Sequence, residues 1–262
     1  MRRNKIRDIW KKDGTVINGW LGIPDSFAAE VMAQQGWDSL TIDTQHGLAD
    51  HGDSIAMLQA ISTTDTVPLA RAAWLDEAWI MRLLDAGCYG IICPMINDGA
   101  QAERFVTSCR YPPGGRRSFG PIRASLYGGA DYASKANEEI VTLAMVETSG
   151  ALDHIDDIMT TPGLDGVYVG PADLANSLGA TPQFDPDDPV VTEAIEMIVK
   201  KSIEHKIKAG IHTGSPAYAK KMIGLGYRFV TILSDARLLA MGATSTLAAM
   251  REGVVARGSD TY

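Results

Sequence analysis

Ala144-Met145-Val146-Glu147-Thr148 and, further on, Val167-Tyr168-Val169-Gly170-Pro171-Ala172-Asp173 are two short apolar runs, each leading into a carboxylate. The two acids stand about one strand–helix–strand unit apart. In a parallel α/β barrel that spacing puts both at the same rim, the one where active sites are built. Two hard oxygen ligands facing one pocket suit a divalent cation. The plainer alternative makes Glu147 a helix N-terminal acid and Asp173 a helix cap, both structural.

The rest of the chain extends the same pattern. Eight short apolar runs are expected as strands at 16–21, 39–43, 67–70, 90–94, 142–146, 166–169, 209–212 and 229–233. Between them, segments such as 26–35, 77–85 and 192–205 carry apolar residues at i, i+3 and i+4. Glycines at 36, 87, 163, 224 and 226 stand where helices should close before the next strand. Strand–helix alternation repeated eight times predicts a (β/α)8 TIM barrel, with 1–262 forming a single domain. One stretch breaks the rhythm. Residues 111–134, rich in Pro, Gly and Arg, are expected as a long loop, functional or disordered, between the fourth helix and the fifth strand. Residues 184–190 are read as a further surface loop. A long apolar helix is expected over about 235–257, able to close the barrel or to pack on a neighbouring subunit.

Composition bounds the function. The chain has 262 residues and a net charge of −8, which argues against general nucleic-acid binding and means that any anionic substrate needs locally placed arginines. The three cysteines, Cys88, Cys93 and Cys109, have neither disulfide nor zinc spacing. Residues 1–7 carry charge with no apolar segment behind them, and no run approaches the roughly 18 apolar residues of a membrane span. A cytoplasmic protein without membrane or nucleic-acid partners is expected.

The predicted strand ends gather polar groups at one rim: Trp20, Asp43 with His46, Arg71, Glu147, Asp173, His212 and Ser234-Asp235. In Asp43-Thr44-Gln45-His46-Gly47 a carboxylate precedes an imidazole by three residues. If it accepts one ring N–H, the other ring nitrogen gains basicity and serves as a general base. Arg71 ends a buried strand and needs a partner, either a neighbouring acid such as Asp43 or Glu147, or a substrate oxyanion held by charge-assisted bonds. No lysine falls at a predicted strand end; Lys208 opens the seventh strand. That argues against Schiff-base chemistry, which needs a desolvated lysine in the pocket. Dinucleotide and P-loop signatures are absent.

The stretches Leu40-Thr41-Ile42-Asp43-Thr44-Gln45-His46-Gly47, Pro68-Leu69-Ala70-Arg71, Leu84-Asp85-Ala86-Gly87, Cys93-Pro94-Met95, Tyr111-Pro112-Pro113-Gly114, Val146-Glu147-Thr148 and Gly170-Pro171-Ala172-Asp173-Leu174, taken in order, resemble the HpcH/HpaI aldolase family. These are class II pyruvate aldolases acting on 4-hydroxy-2-oxo acids, and the resemblance runs over about 15–250. It implies Glu147 and Asp173 as ligands of Mg²⁺, Mn²⁺ or Co²⁺. It implies His46 as the base with Asp43 beside it, and Arg71 as the arginine that binds pyruvate. Asp85 matches an acid presented to a neighbouring subunit's site, and Arg117 a basic substrate-binding position of the Pro-Pro-Gly loop. Trp20 and Ala172 are expected to line the substrate pocket. The family's typical assembly implies a homo-oligomer, a hexamer with the last helix exchanged between subunits. Two departures stand out: Gln45 where several members have Glu, and His212 where some have an apolar residue. Both are expected to face the pocket and to bear on the aldehyde. The rival readings are an acyl-CoA lyase of the citrate-lyase type, which would need a basic groove beyond Arg116-Arg117, and a non-catalytic binding protein on the same scaffold.

Overall fold

The computed structural model describes residues 1–252. Eight parallel strands form a closed barrel in sequence order, β1 (Val16–Leu21), β2 (Ser39–Asp43), β3 (Val67–Arg71), β4 (Gly90–Cys93), β5 (Val141–Val146), β6 (Gly166–Val169), β7 (Lys208–Thr213) and β8 (Phe229–Ile232), with β8 pairing back on β1. The strands read as near-continuous apolar runs because both of their faces are buried, one inside the barrel and one under the helices. Alternate residues part accordingly. Val67, Leu69, Leu143, Met145, Tyr168 and Phe229 fill the barrel, while Ala70, Ala144, Val146, Val167, Val169 and Val230 pack outward against helices. The expected TIM barrel is therefore observed, with three strands at the expected limits and the other five differing by one residue at one or both ends.

Two elements depart from expectation. The charged N-terminus forms a helix, Lys5–Lys11, whose Ile6 and Trp10 lie one turn apart and plug the base of the barrel beside Val16 and Phe229. Asn4 caps it, and its side-chain amide donates to the carbonyls of Tyr89 and Glu139 at 2.9 and 2.8 Å. Residues 111–134 are not one long loop, because two helices, Ile122–Gly128 and Tyr132–Glu139, begin within them. The first buries only Ala124 and Gly128 and leaves Ile122 and Leu126 each 85% exposed, so it carries no inward apolar stripe for a periodicity argument to find.

The C-terminal helix runs Asp235–Arg251; the expected extension to 257 lies outside the described residues. Asp235 is its one buried residue, and Leu239, Met241, Leu247 and Met250 are exposed. The carboxylate of Asp235 accepts the N–H groups of Gly22 and Ile23 at 2.9 and 3.1 Å, tying the β8 exit to the β1 exit. Among the described residues no helix is long and apolar enough to cross a membrane.

Candidate active site at the barrel rim

A cavity of about 400 Å³ opens at the carboxyl ends of the strands. Its walls include Trp20, Asp43, His46, Arg71, Ala172, Asp173 and His212, seven of the residues expected there, together with Phe184 and Arg237, which were not.

Asp43 and Arg71 are register partners at the ends of β2 and β3. The guanidinium donates twice, Nε to Oδ1 at 2.9 Å and Nη2 to Oδ2 at 2.6 Å, and both groups are buried. This fork–fork pair leaves other edge N–H groups of the guanidinium available to a ligand. Trp20 adds an Nε1–H bond to Asp43 Oδ2 at 3.2 Å, and the Arg71 guanidinium lies 4.9 Å from the Trp20 ring centre. Burial works to raise the Asp43 pKa, but hydrogen bonds and charge from Arg71 and two backbone N–H groups outweigh it and hold the carboxyl below its usual range.

One expectation about Asp43 needs correction. Its carboxylate accepts the backbone N–H groups of Gln45 and His46, at 3.0 and 3.2 Å, not a ring N–H of His46. Arg71 occupies the carboxylate that was to orient the imidazole. Asp43 shapes the turn instead, and a Cβ at Gly47 would collide with the Asp43 carbonyl, so this turn admits only glycine there. His46, exposed, lines the cavity. Gln45, expected to face the pocket, does not line it. The same pinned turn that presents His46 holds Gln45 elsewhere, its Oε1 buried without a hydrogen-bond partner.

Glu147 follows β5 and is 2% exposed, just behind the cavity wall formed by Met145 and Gly170. Its Oε1 accepts the Met95 N–H at 2.8 Å. Met95 reaches that position at φ 57°, a left-handed conformation that costs a residue with a Cβ on the order of 1–3 kcal/mol. Its Oε2 is buried with no partner, and an added Cβ at Gly170 would strike this same atom. Burial raises the Glu147 pKa to about 7; the Met95 N–H opposes the rise and the charge of Asp173 adds to it. Asp173 stands in the first turn of the helix Pro171–Ser177, a favourable place for an acid, and is exposed toward the cavity. Among the described residues no group of three or more His, Cys, Asp and Glu is placed to hold a metal. The arrangement is a pair of carboxylates, one with an orphaned oxygen. That fits a hard cation such as Mg²⁺, which is held by one or two carboxylates and fills its other positions with water and substrate.

His212, from β7, stands on the cavity wall among aromatic rings: Trp20 edge-on at 5.0 Å, Phe184 at 5.2 Å, and the Tyr168 hydroxyl 3.3 Å from Nδ1. Burial, and then the charge of Arg71, depress its pKa to about 3, so the imidazole is neutral over the physiological range. Tyr168 stacks under Trp20 and hydrogen-bonds Thr231 at 2.8 Å, an interior contact that no local motif reveals.

Asp85 and Arg117 are not brought to this cavity. They pair with each other at 2.6 Å, and Arg117 is fully buried against the rings of Tyr111 and Tyr132. Asp85 ends a helix rather than a strand, so the barrel turns it away from its own rim. Burial raises its pKa despite the opposing pull of Arg117. The expected contact of Arg117 with substrate is therefore not made within one chain.

The profile of the HpcH/HpaI aldolase/citrate lyase family matches residues 20–241. The chain is 39% identical over 248 residues to the hydroxypyruvate/pyruvate aldolase of Rhizorhabdus wittichii, covering 95% of this chain and 99% of that one. It is 34% identical to the 4-hydroxy-2-oxo-heptane-1,7-dioate aldolase of a Salmonella dublin strain, covering 94% of each. The crystal structure of an HpcH/HpaI aldolase/citrate lyase family protein from Burkholderia cenocepacia J2315 superimposes with a TM-score of 0.89 at 30% identity, covering 95% of this chain and 99% of that one.

Proposed function

The chain belongs to the HpcH/HpaI aldolase/citrate lyase family, and we propose that it is a divalent-metal-dependent pyruvate aldolase. It makes and cleaves 4-hydroxy-2-oxo acids by joining pyruvate to an aldehyde. The observation that carries the metal dependence is the orphaned Oε2 of Glu147, buried beside Gly170 and coupled in charge to Asp173. A carboxylate oxygen left so costs free energy unless a ligand takes it. Glu147 and Asp173 would hold Mg²⁺, Mn²⁺ or Co²⁺. Such a cation, when bound, polarises the ketone of pyruvate and lowers the cost of removing a methyl proton.

The chain's own groups supply the rest. Arg71, fixed by Asp43 and backed by Trp20, directs its remaining N–H groups at the carboxylate and the developing enolate oxygen of pyruvate. His46 takes the proton of the 4-hydroxyl in cleavage. The C3–C4 bond then breaks, its electron pair stays on C3 as the pyruvate enolate, and the aldehyde departs. The proton taken by His46 then goes to C3, giving pyruvate; in synthesis a methyl proton leaves pyruvate and His46 delivers a proton to the new alkoxide. No lysine lines the cavity among the described residues, in keeping with chemistry that forms no imine. The test is pyruvate release from a panel of 4-hydroxy-2-oxo acids. Release should stop in chelator and resume on adding Mg²⁺, Mn²⁺ or Co²⁺. Full release in chelator would end the metal-dependent reading.

Assembly is part of the proposal. The Asp85–Arg117 pair lies away from the cavity of its own chain, and the C-terminal helix leaves Leu239 and Met250 each 68% exposed. A homo-oligomer, in our reading a hexamer with the last helix exchanged, would cover that helix and carry Asp85 to a neighbour's cavity. Asp85→Ala and Glu147→Ala enzymes should each be inactive, and mixing them under subunit exchange should restore part of the activity. A fully active monomer in sedimentation, or mixed oligomers that stay inactive, would refute it. The free, buried cysteines favour the cytoplasm.

A further inference from the structure

One wall of the cavity is not used by this chemistry. Arg237, in the first turn of the C-terminal helix, lies with its guanidinium carbon 4.2 Å from the centre of the Phe184 ring, and Phe184 in turn lies 5.2 Å from His212. The ring is held in place from behind. Asp185 accepts the Gly214 N–H at 2.6 Å, and the Tyr218 hydroxyl donates to the Pro186 carbonyl at 3.4 Å. A guanidinium that stacks by its face keeps its edge N–H groups free to donate. Among the described residues no carboxylate lies within ion-pair distance of Arg237, whereas Arg71, the other arginine of the cavity, is already matched by Asp43.

We propose that Arg237 is a specificity-determining residue for the aldehyde, its guanidinium edge receiving an acid group, carboxylate or phosphate, at the end of the acceptor remote from the carbonyl. The inference rests on the aldolase reading. Pyruvate is assigned to Arg71 and the two carboxylates, on β3 and after β5 and β6, so the acceptor extends toward β7, β8 and the Phe184 wall. The charge of Arg237 reaches into that space, where it adds to the effects that keep His212 unprotonated. His212 thus offers the acceptor a neutral imidazole, and Arg237 provides the positive charge that an acidic protein must place locally to hold an anion.

The test measures kcat/KM for aldehydes with pyruvate and Mg²⁺. One arm compares 4-oxobutanoate with butanal, and the other glyceraldehyde 3-phosphate with glyceraldehyde. The wild-type enzyme should prefer the charged member of at least one pair, and the pair that shows the preference identifies the acid group. Arg237→Gln should lower that preference by about 10- to 100-fold, mainly through the aldehyde KM, as expected for losing a charge-assisted hydrogen bond. Arg237→Lys should retain part of it. An unchanged preference, or an equal loss on charged and neutral aldehydes, would overturn the assignment of Arg237 while leaving the aldolase reading intact. If the wild-type enzyme joins none of the four aldehydes to pyruvate, the aldolase reading itself falls, and this inference with it.

Discussion

Glu147→Gln is expected to lower kcat/KM for aldol cleavage by about three orders of magnitude, the equivalent of the several kcal/mol that a bound cation contributes to a developing enolate. The substitution keeps the size of the side chain and an Oε1 able to accept the Met95 N–H, but removes the charge of the oxygen that has no partner. The loss should come with weaker Mg²⁺ binding in calorimetry, and activity restored by raising Mg²⁺ alone would argue against it. A second readout needs no turnover. In the metal-free protein, folding raises the Glu147 pKa from its ordinary 4.5 to about 7. Between these values the folded state binds the more protons, so this group's stabilising contribution is fully present below about pH 4.5 and is lost as pH rises through 7. It amounts to something on the order of 3 kcal/mol. Urea unfolding in chelator should therefore show the wild-type protein losing more stability from pH 5 to pH 8 than Glu147→Gln does. Identical pH dependences would mean that burial does not raise the Glu147 pKa.

His46→Ala should slow cleavage by roughly 10² to 10⁴, the range for losing a positioned general acid–base. Metal and pyruvate binding should persist, because His46 is exposed at the rim and makes none of the bonds that hold Asp43 and Arg71 together. Arg71→Ala would behave differently. It would strip a buried carboxylate of its partner, with a stability cost of about 3–5 kcal/mol, and weaken pyruvate binding as well. Pyruvate titrations and thermal unfolding separate the two variants. Near wild-type cleavage by His46→Ala would move the base role to another group.

The barrel was legible in the chain because both faces of every strand are buried. Apolar runs of four to six residues, each followed by a helical period, report that burial within a short window. Asp43, His46, Arg71, Asp173 and His212 could be found for the same reason. Strand order fixes which residues reach the carboxyl rim, and a charged or polar residue there breaks an apolar run. The N-terminal plug is harder to read: Ile6, Ile9 and Trp10 have helical spacing, but they fill only a seven-residue helix interspersed with four charged residues, and it is packing against Val16 and Phe229 that buries Ile6 and Trp10.

What tertiary structure decided was pairing. Packing between elements brings Phe184 to Arg237 and His212, gives the Asp43 carboxylate to its register partner Arg71 rather than to the His46 ring, and folds Asp85 onto Arg117 outside its own cavity. Each of these contacts joins residues from different elements, and its geometry depends on the shape of the whole sheet. Local sequence specifies which face a side chain takes along its own strand or helix. Which group it meets across the barrel, and whether an oxygen such as Glu147 Oε2 is left without a partner, follow from packing that no short window contains.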